Sequence, residues 1–309
     1  MDFLKQLSLA GLVPVIALED PEDAVPLCAA LARGGLPVAE ITFRTAAAEE
    51  SIRRVHDALP DVLLCAGTVL TPDQADRAVR AGAAAVVSPG LNPRVVEHCV
   101  GRGIPVCPGI STASEVETAL SFGLKTVKVF PAEAVGGIAL IRGLAAPYAD
   151  VTFMPTGGVN ESNMMDYLAF PKVLCCGGSW MVPKDAVRAK DWARITALTR
   201  SAVNRMLGLE LRGVRAKDAR EAEDVIRLAR LMGWEVSDDG AAAVPDAGAG
   251  TEWPGGEAAG QIRIASNFPA RARWHLERRG FAFDGESGGK EAVRMREPLA
   301  GYEVWLTGK

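Results

Sequence analysis

Lys128 stands in the run LKTVKVFPAE, Leu124 to Glu133, between Val127 and Val129 and just before Phe130 and Pro131. Burying an ammonium in an apolar strand is strongly disfavoured unless the charge is paired or used. One reading is a lysine at a strand end whose head reaches water. The other is an amine held in a dry pocket as a nucleophile toward a carbonyl. Alternation along a strand gives Val127 and Val129 one face and Thr126, Lys128 and Phe130 the other. Lys125 shares the parity of Val127 and is therefore expected to point outward.

The run VAEITFRT repeats the pattern. Ala39, Ile41 and Phe43 would face packing helices, which leaves Glu40, Thr42 and Arg44 directed inward. A carboxylate, a guanidinium and a lysine share one small interior only if they are paired or used. A Glu40–Lys128 ion pair with a purely structural role is the alternative to catalysis. Further along, PTGGVN (155–160) and CCGGSW (175–180) each carry a glycine pair. Such loops suit phosphate, because glycine lets backbone N–H groups approach an anion closely. Thr156, Gly157 and Gly158 belong to the first loop, Gly178 and Ser179 to the second, and the Ser179 hydroxyl adds a further hydrogen-bonding group. Thr68, in CAGTVL, has a hydroxyl suited to a substrate carboxylate, with Arg44 as its charge partner. The histidines His56, His98 and His275 lack a second ligand at metal-binding spacing, so no metal site is expected.

These residues need a frame that brings strand ends together. Candidate strands are VPVIAL (13–18), VAEITF (38–43), VLLCAG (62–67), AAVVS (84–88), IPVCPG (104–109), TVKVF (126–130), VTFMPTG (151–157) and KVLCCGG (172–178). Segments such as TPDQADRAVRAG and NPRVVEHCVGRG lie between them. They open on a capping Asp, Thr or Asn, often followed by Pro, and close on Gly, as short helices do. Strands alternating with helices over this length predict an α/β protein, a parallel (β/α)8 TIM barrel over 1–207. A doubly wound open sheet is the competing architecture, but VPVIALEDPEDA has no glycine fingerprint after the first strand. In the barrel, Lys128 falls near the C-terminal end of its strand, where barrels carry their active sites.

Residues 208–309 read differently. AKDAREAEDVIRLARLMGW is an amphipathic helix with Ala222, Val225, Ile226, Ala229 and Met232 on one face. A Gly/Ala-rich stretch at 238–260 reads as a long loop. QIRIAS, PARARWHLERRG, EAVRMRE and YEVWLTG then give strand, helix, strand and strand, a small α+β extension. Across the 309 residues, 49% are hydrophobic and the net charge is −4, which offers nothing to nucleic acid or to an anionic membrane. The opening MDFLKQLSLAGLVPVIALED has too short an apolar run for a signal peptide, and no run approaches a membrane span. Six cysteines without a CxxC pair predict buried free thiols and a cytoplasmic protein.

The motifs PVIAL, EITFRT, AGTVL, SPG, PGISTASE, KVFPAE, PTGGV and GGSWMVP occur in this order between residue 10 and about residue 205. Together they resemble the 2-keto-3-deoxy-6-phosphogluconate (KDPG) aldolases, which often also act on 4-hydroxy-2-oxoglutarate. The resemblance implies a (β/α)8 barrel, a homotrimer, a phosphorylated keto-acid substrate, and a class I mechanism without metal or cofactor. It implies that Lys128 forms the Schiff base and that Glu40 is the general acid/base. Arg44 and Thr68 would hold the pyruvate carboxylate, Pro89 and Phe130 would line the pocket, and Gly157, Gly158 and Ser179 would bind phosphate. A sister aldolase for the galactonate epimer, an aldolase for the unphosphorylated substrate, and a non-catalytic sugar-phosphate sensor are the other readings. The extension is similar to half of a glyoxalase-like (vicinal oxygen chelate) unit, but it lacks the His/Glu metal ligands of such enzymes.

Overall fold

Eight segments rich in valine, leucine, isoleucine and cysteine form the parallel strands of the first unit. In the computed structural model these are β1 (Leu12–Ile16), β2 (Val38–Thr42), β3 (Leu63–Gly67), β4 (Ala85–Val87), the paired pieces β5 (Val106–Cys107) and β6 (Gly109–Ile110), β7 (Thr126–Val129), β8 (Thr152–Pro155) and β9 (Cys176–Gly178). The structure describes residues 3–231, 235–236, 241–243, 260–285 and 292–309. One parallel sheet runs β5-β4-β3-β2-β1-β9 and another runs β6-β7-β8. Pro108, which has no N–H to give a ladder, separates β5 from β6. A parallel bridge between Thr156 and Gly177 links the β8 end to β9. The ring of strands is thereby closed, and the expected strand 104–109 is two short pieces rather than one. The expected strand 172–178 is likewise shorter, because ladder pairing in β9 begins at Cys176.

Helices follow the strands and start where the sequence supplies caps. Thr71 accepts from the Gln74 N–H ahead of Pro72, Asn92 accepts from the Arg94 N–H ahead of Pro93, and Thr112 with Glu115 forms a reciprocal capping box. The predicted facing of β2 is realised. Ala39 and Ile41 lie in one buried cluster with Leu27 and Cys28 of the helix Ala24–Arg33 and Ile52 and Val55 of the helix Ala48–Ala58. The helix Trp192–Leu207 contributes Ile195 to the same cluster, and its Thr196 hydroxyl donates to the Ala30 carbonyl at 3.0 Å.

The chain divides into two compact units, Met1–Val203 and Asn204–Lys309. Within the second, β10 (Glu210–Arg215), β11 (Glu235–Val236), β12 (Ala241–Ala243), β13 (Gln261–Ser266), β14 (Val293–Arg294) and β15 (Glu303–Gly308) form a sheet of order β11-β12-β10-β13-β15-β14. The β13–β15 pair is parallel, and the other pairs are antiparallel. Helices span Ala219–Leu231 and Pro269–Glu277, with Ala229, Ala272, Trp274, Phe283, Val304 and Leu306 buried. The stretch expected as one long loop contains β12, paired to both β10 and β11. Its remaining positions, apart from Gly260, and Met232 of the amphipathic face lie outside the described residues. Among the described residues, no helix is long and apolar enough to cross a membrane.

All six cysteines are free and buried. Burial pushes the thiols of Cys28 and Cys107 up to about 12, and raises Cys65 as well. The folded protein is therefore expected to resist an aromatic disulfide reagent at pH 8 and to release all its thiols after denaturation. Fast labelling of the native protein would contradict the packing described here.

Candidate active site

The interior of the barrel is organised by strand register. Glu40 on β2 lies level with Val15 and Cys65 of its neighbouring strands. Lys128 on β7 lies level with Gly109 and Met154. Both charged side chains project inward from opposite arcs, and they meet. Lys128 Nζ lies 3.1 Å from Glu40 Oε1, and the two residues retain 4% and 1% of their exposure. At such burial each charge depends on the other, because water contributes almost nothing. The other carboxylate oxygen, Oε2, is buried and has no hydrogen-bond partner. The Phe130 ring forms one wall, with its centroid 5.3 Å from Nζ. Lys125, by contrast, is two-thirds exposed (66% of its side chain) and pairs with Asp150, so its outward parity holds.

Gly67 holds the carboxylate in place by having no side chain. A Cβ there would stand 2.3 Å from Glu40 Oε1 and 2.7 Å from its Cγ. Gly109 has a similar role at the wall: a Cβ would stand 2.1 Å from the Pro89 carbonyl oxygen, which brings half-buried Pro89 against the mouth. The inner thiols Cys65 and Cys107 are close enough for Glu40 and Lys128 to act on their ionisation. The sequence pattern predicts buried thiols but gives Cys65 and Cys107 no place at the site, and it does not mark Gly67, although Gly67 lies within AGTVL.

Arg44 departs from its expected direction. Strand β2 ends at Thr42, so alternation no longer governs Arg44, and its side chain is exposed rather than interior. It still reaches Thr68, donating from Nε to Oγ1 at 3.3 Å. Thr68 itself sits at φ 55°, a conformation few non-glycine residues adopt. Thr42 is inside, where its hydroxyl donates to the Ile16 carbonyl at 2.8 Å and serves the barrel wall.

The Thr156–Gly177 bridge sets the two glycine loops side by side. Thr156 is buried, and its Oγ1 has no hydrogen-bond partner. Gly157 and Gly158 follow with φ 97° and 84°. Gly178 is buried against the Trp180 ring, and Ser179 is exposed. One end of the barrel thus holds a buried amine–carboxylate pair, a guanidinium–hydroxyl pair beside it, and a double glycine loop. That set can add an amine to a carbonyl, relay protons, and receive anionic groups. Among the described residues, no group of three or more His, Cys, Asp or Glu side chains could hold a metal ion.

The profile of the KDPG and KHG aldolase family matches residues 4–198. The chain belongs to that family. The 2-dehydro-3-deoxy-phosphogluconate aldolase of Treponema pallidum is 53% identical over 197 residues, which cover 64% of this chain and 94% of the relative. The KHG/KDPG aldolase of Escherichia coli K12 is 45% identical over 197 residues, covering 64% of this chain and 92% of the relative. Among solved structures, the KDPG aldolase of Legionella pneumophila superposes with a TM-score of 0.63 at 37% identity, covering 65% of this chain and 98% of that one. In that aldolase, pyruvate was captured at low pH as a covalent carbinolamine intermediate. The aldolase match ends before the second unit begins.

Gly67→Ala is expected to displace the Glu40 carboxylate from Lys128 and to lower aldolase turnover by about 10²-fold, the usual effect of an ångström-scale misplacement. Circular dichroism should show the fold retained. Wild-type turnover in this variant would mean that the Glu40 position does not matter.

Proposed function

We propose that the chain is a class I aldolase that cleaves 2-keto-3-deoxy-6-phosphogluconate to pyruvate and glyceraldehyde 3-phosphate, with Lys128 and Glu40 as its catalytic pair. The observation that carries this reading is the buried 3.1 Å contact between Nζ and Oε1, with Oε2 left as a spare acceptor. A proton passed from Lys128 to Glu40 leaves a neutral amine beside a carboxylic acid. Nζ attacks the C2 ketone, and the ketone oxygen takes the Glu40 proton. The nitrogen returns a proton to Glu40, which gives it to the departing hydroxyl, so that water leaves and an iminium remains. Glu40, again a carboxylate, takes the C4 hydroxyl proton. The C3–C4 electrons flow to the iminium nitrogen, the aldehyde departs, and an enamine is left. Glu40 protonates C3, and hydrolysis of the pyruvate iminium restores Lys128. The class I route uses no metal or cofactor.

Arg44 and Thr68 hold the keto-acid carboxylate in this reading, a role their 3.3 Å contact supports. Pro89 and Phe130 wall the reacting carbons. Thr156, Gly157, Gly158, Gly178 and Ser179 receive the distal phosphate, whose binding positions C2 and C4 from a distance. Relatives named for the phosphogluconate support this substrate over its galactonate epimer and over a non-catalytic sensor. The barrel associates as a homotrimer. Light scattering should return three times the chain mass, and a monomer would overturn that assignment.

Borohydride added with pyruvate should leave a reduced adduct on Lys128, detected by peptide mass. Lys128→Ala should abolish the adduct while the protein stays folded. Trapping at exposed Lys125 would refute the assignment.

A further inference from the structure

The phosphate loop rests on an unusual support. Gly157 and Gly158 are consecutive left-handed glycines, the most permissive backbone available, so something else must fix their conformation. Part of the answer is backbone pairing that continues beyond β7. The Ala132 N–H donates to the Thr156 carbonyl at 2.8 Å and the Glu133 N–H to the Gly157 carbonyl at 3.0 Å. Asn160 and Asn163 donate from their side-chain amides to the Gly158 carbonyl at 3.1 and 3.2 Å. The carbonyls of Thr156, Gly157 and Gly158 are thus all engaged, two by the segment after β7 and the third by Asn160 and Asn163.

The remaining part is a side chain. A Cβ on Gly158 would stand 2.5 Å from Glu133 Cγ and 2.6 Å from its Cβ, so the Glu133 stem lies directly against the loop. Its carboxylate oxygen Oε1 accepts the hydroxyl of Tyr167. Tyr167 is buried on the short helix Met164–Leu168, which follows the loop, so this hydrogen bond spans the loop from the segment before it to the helix after it. Burial first, and then the Glu133 hydrogen bond, push the phenol above its ordinary range, so it remains a donor at working pH. Glu133 is exposed, where an unheld carboxylate would swing freely. Tyr167 ties it down.

We infer that Glu133 and Tyr167 are positioning residues for phosphate recognition, clamping the Gly157–Gly158 loop across which their hydrogen bond runs. This rests on the reading of that loop as the phosphate site. Neither residue touches the reacting carbons, so their loss should affect only the phosphate end.

The test compares steady-state kinetics on the phosphorylated keto acid and on unphosphorylated 4-hydroxy-2-oxoglutarate. Tyr167→Phe and Glu133→Ala should each raise KM for the phosphorylated substrate roughly tenfold, the scale of one lost hydrogen bond to a charged group. Their kinetics on the unphosphorylated substrate and their pyruvate trapping should stay within about twofold of wild type, and any fall in kcat should be confined to the phosphorylated substrate. Glu133→Gln keeps an acceptor for the Tyr167 hydroxyl and should retain near-wild-type KM. Equal losses on both substrates would make the pair merely structural and overturn the inference, as would unchanged KM in both clamp variants. A Glu133→Gln defect as large as that of Glu133→Ala would also overturn it, because the charge and not the tether would then matter. If wild type itself shows no preference for the phosphorylated substrate, the phosphate-site reading fails and the inference falls with it. A wild-type preference that the variants keep would sink the inference alone.

Discussion

Two opposite charges with almost no water around them set the terms for the rest of this barrel. Removing one partner of such a pair strands the other charge, which costs about 3–5 kcal/mol, whereas replacing both by packed apolar groups is often neutral or stabilising. Stability alone therefore gives Lys128 and Glu40 little reason to be there. The proposed chemistry does, because an amine that must lose its proton and a carboxylate that must take one are useful only when they are close. The architecture then has to hold them on opposite arcs at contact distance. Register places them on β7 and β2, and the bare Cα of Gly67 leaves room for the carboxylate. The free Oε2 leaves a second acceptor, which in the proposed reaction takes the substrate hydroxyl proton.

Around that pair the barrel end separates its tasks by strand. Chain leaving β2 and β3 supplies Arg44 and Thr68, joined to each other at the mouth. Chain leaving β8 and β9 supplies the adjacent glycine loops. In the proposed reading, charges at the two ends of a bound keto acid are met by different strand ends, with its reacting carbons over the pair. Holding both ends would turn encounter into alignment, an effect worth up to about 7–11 kcal/mol in well-oriented systems.

The parts of this site that were legible in the sequence are those governed by alternation. Lys128, Glu40 and the outward Lys125 follow from strand parity because β7 and β2 are regular where those residues sit. Arg44 escaped the rule because β2 ends two residues earlier. Gly67 and the Glu133–Tyr167 contact had no local signature, since their meaning lies in what a distant segment places against them. Pro108 divides a strand that looked continuous, because a missing N–H matters only once a neighbour exists to receive it. In the second unit, β12 hides in an alanine run of weak strand preference and exists through its pairing with β10 and β11.

The central claim is that one amine forms the iminium and one carboxylate moves its protons. Exchange of the pyruvate methyl hydrogens in deuterated water, followed by proton NMR, tests both halves together, because exchange needs the enamine and a base at C3. The wild-type chain should exchange them readily. Lys128→Ala should show none, and Glu40→Gln should exchange about 10²- to 10⁴-fold more slowly, the usual span of a lost general base. Exchange that persists in Lys128→Ala, or that is undiminished in Glu40→Gln, would contradict the account.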